Sequence, residues 1–275
     1  MPVEKGEYIK PPFRWAGGKQ SIIGKIALYK PLCRINKYYE PFLGAGSMFF
    51  NCNYPDSILS DQNGPLINCF QKIKDTPLDL HSRLMYMEQK LDRQYYYKIR
   101  DTYNKNLMVF DINQAARFLF LVNTSFNGIY RVNRKGEYNV PFGKDNPAFM
   151  SENHILRLSN RLSNAIIKPC SYTEITQDVL QGDFIYMDPP YPPLNGTSSF
   201  QHYTPDKFPI KQQERVAEVA SSLNDRGAMV LITNADTELI REIYRGWNIV
   251  ELEVTRCISS KKVKHKVKEL IIKNY

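Results

Sequence analysis

Apolar residues along this chain repeat with two different periods, and the switches between them mark out its elements. A continuous run, Phe184-Ile185-Tyr186-Met187 within GDFIYMDPPY (residues 182–191), reads as a short strand covered on both faces. KYYEPFLGAGSMFFN gives a strand, a glycine turn and a helix, and YPDSILSDQN gives a second strand ending at Asp61. From 63 to 125 the apolar positions recur every three and four residues, so PLINCFQKIKD, LHSRLMYMEQKL and NQAARFLFLVN predict a long helical stretch. GIYRVNRKGEYNVPFG, residues 128–143, sets two β-prone runs around NRKG and predicts a hairpin. Ile155, Leu158 and Leu162 then share one face of a helix in NHILRLSNRLSNA.

From that point strand and helix alternate again. NAIIKPC, which includes Pro169-Cys170, and AMVLITN predict strands. KQQERVAEVASSLNDRG predicts a helix closed by Gly227, TELIREIY another helix, and WNIVELEV with KELIIKNY an antiparallel pair. Alternation on both sides of the helical stretch predicts an α/β fold with a mostly parallel sheet. The helical block with its hairpin, about residues 62–150, is expected as a smaller unit inserted into that domain.

Composition narrows the field. The 275 residues, 43% of them hydrophobic, suffice for a substantial core. No window approaches ~18 uninterrupted apolar residues. The opening MPVEKGEYIKPPFRWAGGK lacks the apolar stretch of a signal peptide, so a cytoplasmic protein with no membrane partner is expected. Five scattered cysteines without a C-x-x-C pair, and four histidines without ligand spacing, point away from disulfides and from a metal site. A net charge of +9 and a pI near 9.2 favour a polyanionic partner such as nucleic acid or a membrane surface.

EPFLGAGSMF places Gly44 and Gly46 between a strand and a helix, where a missing Cβ permits a tight turn and close approach of a ligand. Asp61 closes the next strand, 15 residues beyond Gly46, where it would hold ribose hydroxyls. The dinucleotide fingerprint G-x-G-x-x-G fails at its third glycine, where Phe49 stands. A Walker A loop fails at RWAGGKQS, where Gln20 follows Gly18-Lys19 in place of Ser or Thr. S-adenosylmethionine carries no phosphate and suits the shorter turn, although a G-x-G pair taken alone marks only a tight turn.

Asp188-Pro189-Pro190-Tyr191 ends the buried run, and Asp-Pro commonly opens a plain turn. Consecutive prolines also fix φ, remove N–H donors and leave their carbonyls as acceptors. The Asp188 carboxylate, the Pro189 carbonyl and the Tyr191 ring would together make a slot for a flat ring bearing an amino group. Accepting both amino hydrogens frees the nitrogen lone pair to attack an electrophilic methyl held in line. Methylation at a ring carbon would instead need a thiolate, and no Pro-Cys pair sits at a suitable loop.

FRWAGGK (13–19), EPFLGAGS (40–47), SFNGIYRVNRKGEYNVPFG (125–143) and DPPY (188–191) together resemble, in content and in order, the Dam-type DNA adenine N6-methyltransferases. The resemblance runs over nearly the whole chain. It implies a Rossmann-like S-adenosylmethionine-dependent methyltransferase sheet in two segments, 1–61 and 150–275. An inserted helical target-recognition domain carrying the hairpin would span 62–149. It further implies a monomeric bacterial or phage enzyme, cytoplasmic, serving restriction-modification or DNA repair. Its reaction would be methylation of adenine N6 in double-stranded DNA, at GATC, by base flipping.

Position by position, the resemblance implies S-adenosyl-L-methionine at Trp15, Lys19, Phe42, Gly44, Gly46, Asp61 and Asp188, with Lys19 on the methionine carboxylate. Asp188, Pro189, Pro190 and Tyr191 would receive the flipped adenine. Arg131 would contact guanine, Ile129 and Pro141 would pack near the thymine methyl, and Phe126 and Asn127 would probe the duplex beside the displaced base. Arg14 would meet the first guanine, in place of a lysine in a well-known enterobacterial member. Asp145 departs from that member, which has an aromatic residue there, and would weaken a phosphate contact. The basic stretch SSKKVKHKVK (259–268) reads either as a phosphate clamp or as a solvated edge. Three rivals stand beside this reading: methylation of RNA or of cytosine N4, DNA binding without catalysis, and a nicotinamide-dependent oxidoreductase.

Overall fold

The computed structural model describes residues 8–52, 54–143, 147, 149–192, 208–258 and 263–275. Asp145 and the tip of the basic stretch, 259–262, lie outside them. One sheet of seven strands has the order β3-β2-β1-β4-β5-β7-β6. Its strands are β1 Tyr38–Glu40, β2 Ser57–Ser60, β3 Ile166–Lys168, β4 Phe184–Met187, β5 Met229–Ala235, β6 Asn248–Ile258 and β7 Val263–Lys273. Strands β1 to β5 run parallel, while β7 is antiparallel to both β5 and β6.

The helices among the described residues are α1 Ile23–Ile26, α2 Ser47–Asn51, α3 Gly64–Asp75, α4 Pro77–Glu88 and α5 Arg93–Lys105. They continue with α6 Ile112–Thr124, α7 Glu152–Leu162, α8 Tyr172–Ile175, α9 Ile210–Asp225 and α10 Glu238–Ile243. Their starts follow from local chemistry. Asn63, Asp92 and Asp111 each accept a hydrogen bond from a backbone N–H in the first turn of α3, α5 and α6. Gly227, at φ 76°, ends α9 as expected: its N–H reaches the Asn224 carbonyl and that of Ala228 reaches Leu223. No helix among the described residues is long and apolar enough to cross a membrane.

All four residues of β4 are buried because both faces of a parallel sheet are covered. On one face Tyr38, Leu59, Phe184, Tyr186 and Ile271 share a continuous core with Leu66, Phe70, Leu80, Tyr96 and Phe118 of α3 to α6. Helix α6 is buried around most of its circumference, as a helix at the centre of such a layer must be. On the other face Tyr39, Ile185, Met187 and Ile232 pack against Tyr172 of α8, Val216 and Leu223 of α9 and Ile240 of α10.

One expectation is met in a shorter form and one is corrected. Residues 128–143 form the expected hairpin in a short version: Val132 bridges Tyr138 antiparallel, the Asn133 N–H donates to the Glu137 carbonyl, the Asn139 N–H to the Arg131 carbonyl and the Gly136 N–H to the Asn133 carbonyl, while Ser125 bridges Phe142 at the base. The outer edge of the second arm is taken by α5. Both backbone groups of Tyr138 are bonded to the Asn104 side chain of α5, and the Val140 carbonyl accepts from Tyr96 and Arg100 of the same helix. The second arm is thus held by the first arm on one edge and by α5 on the other. Secondly, β3 ends at Lys168, so Pro169 and Cys170 lie beyond it; Pro169 has no N–H with which to continue the ladder.

Candidate active site

Strand β1 connects onward to β2 on one side of the sheet, whereas β4, its other neighbour, leads on to β5. In open α/β sheets a crevice forms outside the carboxyl ends of the two strands at such a switch point. The chain leaves β1 at Glu40 into the glycine turn and leaves β4 at Met187 into the tetrapeptide. The two motifs, far apart in sequence, therefore open onto one crevice.

Both glycines of the turn are conformationally required. Gly44 has φ 48° and Gly46 φ 71°, left-handed values that L side chains avoid. A Cβ on residue 44 would stand 3.0 Å from Trp15 Cδ1, and one on residue 46 would stand 3.0 Å from the Phe50 ring. Asp61 braces the turn from β2: one carboxylate oxygen accepts the Gly44 N–H at 3.1 Å and the other the Asn63 N–H at 3.0 Å. Burial raises the Asp61 carboxyl above its usual value, and these N–H bonds pull it back. Below the turn, buried Glu40 accepts from Tyr38 Oη at 2.7 Å and from the Phe49 N–H at 3.0 Å. That bond occupies an amide in the first turn of α2.

Aromatic rings flank the turn on both sides of the sheet. Trp15 stacks on Tyr130 at 5.1 Å between centroids, and Phe42 stacks on Tyr172 at 5.1 Å. The first ring tops the helical core and the second belongs to the α8–α9 face.

At the tetrapeptide, the Asp188 carboxylate is bonded through both oxygens. Lys19 Nζ lies 2.7 Å from Oδ2 and Thr233 Oγ1, on β5, donates to Oδ1 at 2.7 Å. Tyr186 Oη lies 3.1 Å behind Thr233 Oγ1. Burial raises the Asp188 pKa, the Lys19 ammonium and Thr233 hydroxyl oppose that rise, and the Glu269 carboxylate adds to it. Lys19, almost fully buried, also donates to the Gly17 carbonyl at 2.7 Å and sits 4.6 Å from the Tyr191 ring centroid. Its ammonium thus bridges Asp188 and the Gly17 carbonyl.

The rest of the tetrapeptide is gripped from behind. Gln213 of α9 donates to the Pro190 carbonyl at 2.7 Å and in turn accepts from Asn234 at 3.0 Å. Tyr191 donates its hydroxyl to Glu269 of β7 at 2.9 Å. Burial, then the Asp188 and Glu269 charges, push the Tyr191 hydroxyl well above its usual pKa and keep it a neutral donor. Thr233, Gln213, Asn234 and Glu269 were not singled out from sequence. The one available sign was polar Thr233-Asn234 closing the AMVLITN run at the carboxyl end of a central strand.

Most of the remaining predicted residues lie on the loop whose Tyr130 stacks on Trp15. Phe126 is 49% exposed, and Asn127 holds a left-handed φ of 59° at the tip of the turn. The Phe126 N–H donates to the Pro141 carbonyl at 2.9 Å, which joins the two arms of this loop. Arg131 Nε donates to Asn139 Oδ1 at 2.8 Å and Ile129 is half-buried nearby in the chain. Arg14 is exposed, its Cδ 3.6 Å from where a Cβ on Gly128 would stand. It therefore borders the loop while its neighbour Trp15 borders the glycine turn.

Comparison with known proteins converges on one family. A model of the D12 class N6 adenine-specific DNA methyltransferases matches residues 15–258. The type II methyltransferase M.MjaIII of Methanocaldococcus jannaschii is 36% identical, covering 97% of this chain and 99% of that protein. The type II methyltransferase M1.LlaDCHI of Lactococcus lactis is 33% identical over 97% of this chain and 96% of its own. The DNA adenine methylase of Escherichia coli K12 is 34% identical over 94% and 92% respectively. Among solved structures, precorrin 8w decarboxylase of Methanobacterium thermoautotrophicum overlaps the chain with a TM-score of 0.35 and 12% identity, too distant to bear on fold or function.

Proposed function

The chain belongs to the D12 class of N6 adenine-specific DNA methyltransferases, and from that premise we propose that it methylates adenine N6 within GATC in double-stranded DNA. The methyl donor is S-adenosyl-L-methionine, and the adenine is flipped into the slot of Asp188, Pro189 and Tyr191. Residues 1–61 and 150–275 act as the catalytic part and 62–149 as the target-recognition part.

The observation that carries this reading is the division of labour between the two prolines. The Pro190 carbonyl is engaged by Gln213, while no donor among the described residues bonds the Pro189 carbonyl. Asp188 and the Pro189 carbonyl therefore stand as the acceptor pair for an exocyclic amine, with the Tyr191 ring for its base to stack on. Accepting both N6 hydrogens raises the density on nitrogen. Unstacking the base costs a few kcal/mol, offset by the ring and the two acceptors.

The residues around the crevice fit the cofactor: a turn without Cβ atoms, aromatic rings of Trp15 and Phe42 on either side, and the Asp61 carboxylate beside the turn. When bound, the cofactor supplies an electrophilic methyl on a sulfonium. Gly44 and Gly46 admit it to the backbone, and Asp188 with Lys19 frames the end nearest the base. Arg131, steadied by Asn139, reads guanine; Phe126 and Asn127 occupy the duplex where the adenine leaves; Ile129 and Pro141 lie against thymine; and Arg14 reaches the first guanine.

Tritiated S-adenosylmethionine with a GATC duplex, beside one with the site scrambled, tests the reading. Label confined to the GATC duplex is expected. Equal label in both would place the specificity elsewhere, and no label in either would overturn the proposal.

A further inference from the structure

We propose that Glu269 is a positioning residue of the reaction, fixing the plane of the Tyr191 ring against which the target base stacks. The inference rests on the function proposed above and extends it to a strand that none of the recognised motifs includes.

Three observations support it. Glu269 pairs with Ala235, the last residue of β5, so the ladder delivers it to the carboxyl edge of the sheet beside Thr233 and Asp188. It is only 3% exposed, and a carboxylate in such a place is costly unless bonded. Its Oε2 accepts the Tyr191 hydroxyl at 2.9 Å across 78 residues of sequence.

The geometry gives that contact a purpose. A tyrosine ring serves as a stacking platform only if its tilt is fixed, and Tyr191 lies just past a strand, beyond two prolines that donate no backbone hydrogen bonds. Glu269 holds the ring by its hydroxyl, and the Lys19 ammonium rests 4.6 Å from its centroid. Since Lys19 is also bonded to Asp188, the acceptor and the stacking surface are registered to each other. A chain using these four residues as a plain turn would have no need of a buried acid on a separate strand. Glu269 acts through the tyrosine hydroxyl and does not itself meet the base.

The test is a cycle of Glu269→Ala, Glu269→Gln and Tyr191→Phe, assayed by single-turnover methylation of a GATC duplex with tritiated S-adenosylmethionine. Cofactor affinity by calorimetry and the thermal midpoint are read on each variant. Glu269→Ala and Tyr191→Phe are each expected to slow methyl transfer roughly 10- to 100-fold with little change in cofactor affinity, the equivalent of losing one charge-assisted hydrogen bond. Glu269→Gln, whose amide oxygen still accepts the hydroxyl, should recover most of the rate. In the Tyr191→Phe background, replacing Glu269 by Gln or Ala should cost nothing more. Rates unaffected by Tyr191→Phe, or a Glu269 effect undiminished in that background, would overturn the inference. Should the alanine variant not fold, Tyr191→Phe and the glutamine pair still decide it. An unsubstituted protein that methylates no DNA would instead refute the parent reading.

Discussion

Around Asp188 the polar side chains are bonded to one another at 2.7–3.1 Å, and the partners come from the N-terminal segment, β4, β5, α9 and β7. The loop from Phe126 to Pro141 is built differently: its tip is exposed, its hairpin is short, and it is fastened at one edge to α5. The contrast separates two demands. Transfer chemistry gains from dipoles that need not reorganise. Reading a groove needs side chains that stand clear of the protein and adjust to a duplex. Under the proposed function, rigidity is placed where bonds would change and an exposed loop where sequence would be read.

The largest effect should come from breaking the rigid side. Asp188→Asn removes the negative charge and turns one of the two accepting oxygens into a donor, and should lower methyl transfer by ~10³ or more while leaving DNA binding in place. It also strands the buried Lys19 ammonium, which should cost about 3 kcal/mol of stability. Methylation assays and gel-shift titrations on one preparation would separate the two. An asparagine variant that transfers methyl groups at the parent rate would remove Asp188 from the chemistry.

On the compliant side, Arg131→Ala should lower discrimination between GATC and sites altered at the guanine by about 1–3 kcal/mol, with stability and cofactor affinity unchanged. Equal weakening on every sequence would make Arg131 a phosphate anchor instead.

A pH dependence should distinguish the two regions next. Burial lifts the Glu40 carboxyl from 4.5 to about 8, against the opposing bonds from Tyr38 and Phe49. Between those values the folded protein keeps a proton that the unfolded chain has released. Stability therefore falls as pH rises through that window. The raised Asp188 carboxyl acts in the same sense from its own ordinary value upward. The thermal midpoint should drop from pH 6 to pH 8.5, and Glu40→Gln should flatten much of that slope. A glutamine variant with the parent slope would assign the titration elsewhere.

How much of this was legible beforehand has the same limit in both regions. The glycine turn and the tetrapeptide were readable because their chemistry is local: positive φ at Gly44 and Gly46, and a buried run ending in Asp188. Their partners were not, because Glu269 and Gln213 are polar residues on elements whose burial is decided by neighbours distant in sequence. Nor does local pattern reveal that Lys19 meets Asp188 across 169 residues. So it is in the loop. Its hairpin was legible from the turn residues between two β-prone runs, but alternation could not show that Asn104 on another element takes the outward-facing Tyr138 backbone.

That Asn104 contact supplies the sharpest test. The side-chain carbonyl accepts the Tyr138 N–H at 2.8 Å and its amide donates to the Tyr138 carbonyl at 3.1 Å, so one residue substitutes for a neighbouring strand. Tyr138 is buried, so both of its backbone groups lose their partners and Asn104→Ala should cost about 1–3 kcal/mol of stability. The loss should fall on the loop, appearing as poorer discrimination among duplexes rather than slower transfer once the base is bound. Asn104→Asp, which keeps the acceptor but loses the donor, should lie between the parent and the alanine variant. If Asn104→Ala slowed the single-turnover rate as much as it relaxed specificity, reading and chemistry would be mechanically coupled through α5, and the division between a compliant loop and a rigid slot would have to be given up.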